Sequence, residues 1–162
     1  ATRCISYLTL EHRSPIDPSL HEPMGSWIAG CDVCQEVCPY NTRAHADPEQ
    51  AGPEEAPRRR AGSPLALHPA YAPRAAFAAG LPLLDVLNWT EDDRRAAFTR
   101  SALKRIKLDM LKRNALIAAG NALRHADDPP LRARIAALAA DPAEPPLVRD
   151  TAAAVLRRLP PT

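Results

Sequence analysis

The chain has 162 residues, enough for one ordinary domain or a small domain with an appendage, and 46% of them are hydrophobic. Much of that share is alanine, with only two tryptophans, three tyrosines and two phenylalanines, a balance that favours closely packed helices over a sheet sandwich. The net charge is +2, and neither a long apolar span nor a charged-then-apolar leader points to membrane insertion or secretion.

In chain order, residues 3–10 form a short apolar element. Glu11 to Pro23 holds Pro15, Pro18 and Pro23 and is expected to be a turn with one short helix starting near Pro18. Gly25 and Gly30 then permit sharp backbone reversals before the densest feature of the chain, Cys31-Asp32-Val33-Cys34-Gln35-Glu36-Val37-Cys38-Pro39. The remaining cysteine is Cys4. From Thr42 to Pro64 the composition collapses into Asp, Glu, Pro, Gly and Arg, including Arg58-Arg59-Arg60, and reads as an exposed, mobile loop with a solvated arginine run.

A helical pattern begins at Leu81. Leu83 to Leu87 is a short helix ended by Asn88-Trp89-Thr90. Thr90 is then the N-cap of a second, acid-led helix that carries Phe98 inward. Another helix is expected through Ser101 to Lys107. A longer one runs from about Met110 to Leu123, with Leu111, Ala115, Ala118 and Ala122 on one stripe. Two proline-led pieces follow, one from Pro129 to Leu138 and one from Pro145 to Leu156, separated by an Asp-Pro turn; the pair resembles a HEAT-type helical repeat. Charge follows this order: residues 1–50 carry a net −4, residues 51–99 balance, and residues 100–162 carry +6, so the tail suits a polyanionic partner.

The cysteine run admits a disulfide, zinc, a thioredoxin-type pair or iron–sulfur. Zinc finds no ligand-like histidine spacing, since His12, His21 and His45 read as surface residues, and a redox pair leaves Cys38 unexplained. The spacing Cys-x2-Cys-x3-Cys-Pro matches the back part of the bacterial ferredoxin motif, whose last cysteine ligates the other cluster, so iron–sulfur is favoured. Two [4Fe–4S] clusters take four cysteines each, and this chain has four in all. The chain is therefore expected to be the back portion of a longer protein.

Three stretches resemble the epoxyqueuosine reductases: Arg3-Cys4-Ile5-Ser6-Tyr7-Leu8-Thr9-Leu10-Glu11, Gly30 through Asn41 around the cysteine run, and Ser101–Lys107 with Leu111–Asn121. The resemblance spans nearly the whole chain apart from residues 47–63, with Tyr40 standing where many members have tryptophan. It implies an enzyme that reduces epoxyqueuosine to queuosine at the wobble position of tRNA, using cobalamin beside two [4Fe–4S] clusters and an external electron donor. The corresponding architecture is mainly α: a partial ferredoxin-like cluster segment at 1–45, a flexible linker at 46–64, and a HEAT-like helical tRNA-binding domain at 65–162. A monomeric cytoplasmic protein is expected.

By the same resemblance Cys4, Cys31 and Cys34 ligate one cluster and Cys38 the other. Ser6 and Asp32 approach the corrin or only hydrogen-bond the cluster loops, and the catalytic acid lies upstream. Lys104, Arg105, Lys107, Lys112, Arg113 and Asn114 fall where the anticodon stem-loop would lie, with hydrogen bonding across the helix pair the alternative for Asn114. A ferredoxin-type electron carrier fused to a HEAT-like protein-interaction scaffold, or a zinc-binding interaction module, is the competing reading.

Overall fold

The computed structural model describes residues 2–40 and 80–160. The expected loop at 42–64, Arg58-Arg59-Arg60 and His45 lie outside the described residues. Among the described residues the regular structure is helical: α1 (Ile5–Leu10), α2 (Val33–Glu36), α3 (Leu83–Asn88), α4 (Glu91–Ala97), α5 (Leu108–Leu123), α6 (Pro129–Ala140) and α7 (Pro146–Leu156), with 3-10 turns at Pro18–Leu20 and Ala102–Arg105. No described helix is long and apolar enough to cross a membrane.

The chain divides into two compact units, Ala1–Cys31 with Leu81–Thr162, and Asp32–Gly80. The first thirty-one residues share a core with the helical tail, for a reason that lies in α5.

Within the first unit α5 is the central element. Every residue from Met110 to Gly120 is buried. A helix apolar on nearly all sides must be covered on nearly all sides, and two clusters cover it. On one, Leu111, Leu116 and Ala119 pack with Val86, Ile135 and Val148 from the surrounding helices. On the other, Ile117 packs with Leu8, Ile16 and Met24. Fully burying such a side chain is worth about 1.5–3 kcal/mol. The sequence-derived stripe therefore holds for Leu111, Ala115 and Ala118, while Ala122 faces solvent. Small residues let α5 and α7 approach closely: a Cβ on Gly120 would stand 2.7 Å from Cγ1 of Val155.

The helix starts follow capping chemistry. Thr90 and Asp93 form a reciprocal capping box, in which Asp93 Oδ2 accepts from the Thr90 amide at 2.8 Å and the Asp93 amide donates to Thr90 Oγ1 at 3.3 Å. Asp128 caps α6 by accepting from the Leu131 amide at 3.0 Å, with Pro129 in the first turn. Phe98 is buried as expected and meets Trp89 edge-on at 5.9 Å.

The helix expected over Ser101–Lys107 is instead the 3-10 turn Ala102–Arg105, followed by extended backbone at Ile106. The reason is Arg94. Its Nη1 donates to the carbonyls of Lys104 at 2.9 Å and Ile106 at 3.0 Å, while its Nε pairs with Glu91 at 2.9 Å. Those carbonyls are thereby taken out of any helical ladder.

Candidate functional site

The cysteines fall on both units. In the first unit, Cys4 is the N-cap of α1, and its carbonyl accepts from the Leu8 amide at 2.9 Å. Cys31 closes the stretch that follows Gly30, whose φ of +82° suits glycine. Thr9 joins the two regions: its hydroxyl donates to the Ile5 carbonyl at 2.8 Å and accepts from the Gly30 amide at 2.9 Å. Ser6, on α1, is half-buried and lends its carbonyl to the same hydroxyl at 3.3 Å.

In the second unit, Asp32 is the exposed N-cap residue of α2, and its carbonyl accepts from the amides of Gln35 and Glu36 at 2.8 and 3.0 Å. Cys34 lies within α2. Cys38 lies beyond it, before Pro39, and a residue preceding proline is pushed out of the α region. Val33, Val37 and Tyr40 are exposed.

All four thiols are free of disulfides; Cys4 and Cys34 are exposed, and Cys31 and Cys38 are half-buried. Among the described residues no three His, Cys, Asp or Glu side chains are gathered as a metal ion needs. The donor set fits iron–sulfur ligation in chemistry and spacing, since accessible cysteines in a Cys-x2-Cys-x3-Cys-Pro run are what such clusters take. It supplies half the thiolates that two cubanes require.

The tail residues expected to meet RNA separate into two groups. Lys104, Arg105 and Lys107 are exposed, and they rim an open depression with Glu91, Asp109 and Pro145. Arg105 also pairs with Glu11 at 3.2 Å, both side chains being more than half exposed. A surface pair of this kind is worth little and is easily exchanged for another anion.

Lys112, Arg113 and Asn114 are interior, and the expectation of an RNA contact is corrected for all three. Lys112 donates to Glu144 at 2.6 Å with both side chains nearly covered. Arg113 is fully buried; its guanidinium donates to the carbonyls of Leu8 at 2.6 Å, His12 at 2.6 Å and Ser14 at 2.8 Å, and to Asn114 Oδ1. Burial pushes its pKa down to about 10, against a smaller upward pull from Asp109. Asn114 Nδ2 donates to the carbonyls of Thr9 and Ile28, each at 2.9 Å. Asn121 completes the series with donations to His21 at 2.7 Å and Gly25 at 2.8 Å. The alternative of a hydrogen-bonding role holds for Asn114, but its partners, Thr9 on α1 and Ile28, are in the first thirty-one residues.

His21 is also interior, not the surface residue expected, and its ring Nε2 lies 3.2 Å from the Ile16 carbonyl. Burial lowers its pKa from the ordinary 6.5, opposed by that hydrogen bond. A depressed histidine pKa means the unfolded chain binds the proton more readily. The stability that neutral His21 confers is thus complete above pH 6.5 and is lost as pH falls below it toward the lower folded value. Thermal melts should show this decline on acidification, and His21→Gln, which keeps a donor but does not titrate, should flatten it.

Residues 1–41 match the family model described as a 4Fe-4S double cluster binding domain. Among curated proteins, the chain is 37% identical to "Epoxyqueuosine reductase" of Alicycliphilus denitrificans over 132 residues, covering 79% of this chain and 30% of the relative. The protein of that name from Escherichia coli K12 is 34% identical over 122 residues, covering 75% and 27%. The one from Burkholderia pseudomallei is 34% identical over 157 residues, covering 93% and 34%. No solved structure matches. Similarity of this extent runs through the helical tail as well as the cysteine run, so the chain is a relative of the epoxyqueuosine reductases that spans about a third of their length.

Proposed function

We propose that this chain is the C-terminal part of an enzyme that reduces epoxyqueuosine to queuosine in the wobble position of tRNA. The observation that carries the reading is similarity to proteins of that name over most of the chain, combined with a double-cluster match centred on its four cysteines. In this reading residues 1–45 are the end of a ferredoxin-like segment and residues 65–162 a HEAT-like helical domain. The paired packing of α6 and α7 supports the latter.

Cys4, Cys31 and Cys34 hold one [4Fe–4S] cluster and Cys38 a second, with the other ligands supplied from outside this chain. Such clusters pass single electrons, and cobalamin, bound mainly outside this chain, supplies the reducing centre for the epoxide. An external donor provides the electrons. Ser6 and Asp32, beside Cys4 and Cys31, border the corrin or brace the ligand loops. The half-buried Ser6 hydroxyl and the exposed Asp32 carboxylate are compatible with either role.

The chain's own contribution to substrate is the exposed basic edge. Lys104 and Arg105 sit on the 3-10 turn and Lys107 at the N-cap of α5, with Arg94 fixing the carbonyls of Lys104 and Ile106 between them, so their charges are presented from a braced support. Phosphates of a tRNA stem-loop are the anion that such an edge suits, and a base splayed from the loop is what the chemistry requires. Reversing all three charges to glutamate in the full-length protein should weaken stem-loop binding by about tenfold or more. It should also flatten the salt dependence by roughly one unit of slope for each phosphate no longer neutralised. Unchanged binding would remove this edge from the substrate site and favour a carrier that needs no RNA.

A further inference from the structure

We infer that Arg113 and Asn114 are positioning residues for the cysteine-bearing stretches, acting through the backbone around Cys4 and Cys31. This rests on the reading of those cysteines as cluster ligands. The two side chains are consecutive on α5, yet between them they hold backbone on both sides of a long sequence gap. Arg113 takes the Leu8 carbonyl, one turn beyond Cys4, and those of His12 and Ser14. Asn114 takes the Thr9 carbonyl and, with the same amide, that of Ile28, three residues before Cys31. Thr9 then receives the amide of Gly30, the residue immediately before Cys31.

An apolar contact already covers this face of α5, through Leu8, Ile16 and Met24 against Ile117. Hydrophobic contact alone would keep the segment attached but would tolerate sliding. Directed hydrogen bonds from a planar fork and an amide fix register and orientation, at the cost of desolvating a cation. The Arg113 guanidinium and the Asn114 amide thus specify where the two ligand-bearing backbones stand relative to each other. Outer groups that orient metal ligands typically govern metal affinity by 10- to 100-fold.

The test uses the full-length protein with its clusters reconstituted anaerobically. Asn114→Asp keeps the shape and the acceptor for Arg113 but loses both donated bonds. Thr9→Val removes the acceptor for Gly30 without changing size. Each should release iron to a chelator about tenfold faster or more, alter the line shape of the reduced-cluster electron paramagnetic resonance signal, and speed amide exchange at Gly30. The comparison is Leu138→Ala, which opens the core at a fully buried position on α6 and should leave the cluster signal unchanged. Iron release and spectra equal to those of Leu138→Ala, or equal to wild type, would overturn the inference. Should Asn114→Asp fail to fold, Thr9→Val decides. If the wild-type protein takes up no iron, the underlying cluster reading fails instead, and that is seen before any variant is compared.

Discussion

Replacing Arg113 with methionine should lower the melting temperature of the protein by about 10 °C or more, corresponding to about 3–5 kcal/mol. Methionine fills much of the same volume, so the loss is chiefly polar. It abandons the carbonyls of Leu8, His12 and Ser14 and the Asn114 side-chain oxygen, of which the Leu8 and Asn114 acceptors are buried and the other two are partly so. Each unpaired buried group costs about 1–3 kcal/mol. One effect acts in the opposite direction. Burial pushes the guanidinium pKa down to about 10, so removing the buried cation relieves part of a desolvation cost. The abandoned acceptors, two of them buried, outweigh that relief. Lys104→Met, on the exposed turn, should by contrast shift stability by no more than about 0.5 kcal/mol. Equal melting of the two variants in a thermal or urea series would show that the buried network contributes little.

The second large effect concerns the clusters. If Cys34 and Cys38 serve different clusters, Cys34→Ala and Cys38→Ala should each lose about half the iron, and the double variant nearly all of it. Cys4→Ala combined with Cys34→Ala should then look like either alone, because both report on one cluster. The structural ground for separating the two is local. Cys34 lies within α2, whereas Cys38 lies beyond it and precedes Pro39, which disfavours the α region for the residue before it. Iron determination and the reduced-state spectra of the full-length variants read the outcome. A Cys34/Cys38 double variant that retains as much iron as the singles would place both thiolates on one cluster and refute the assignment.

Much of the helical frame was legible because its punctuation is chemical. Pro18, Thr90, Pro129 and Pro146 each begin an element where a missing amide or a capping hydroxyl predicts one. The cysteine run was legible from its spacing. For Lys112, Arg113, Asn114 and His21 the difference between sequence and structure has one cause: burial is decided by a residue's surroundings and not by its own polarity. Lys112, Arg113 and Asn114 look like half of a basic surface when counted by charge. Set within Leu111, Ala115, Leu116, Ile117 and Ala118, they have no solvent face available. That absence of a polar stripe was the signal that could have revealed them. The role of Arg94 had no such signal, because its partners are carbonyls, and every residue has one.

The union of Ala1–Cys31 with Leu81–Thr162 has a consequence for how such proteins change over evolutionary time. Cutting between the cysteine segment and the helical tail would leave Arg113 facing no carbonyls and Ile117 without Leu8, Ile16 and Met24. The two parts cannot be exchanged among proteins as separate modules. A recombination event that supplies a new helical tail must bring its own cysteine-bearing segment with it, so the two are inherited as one.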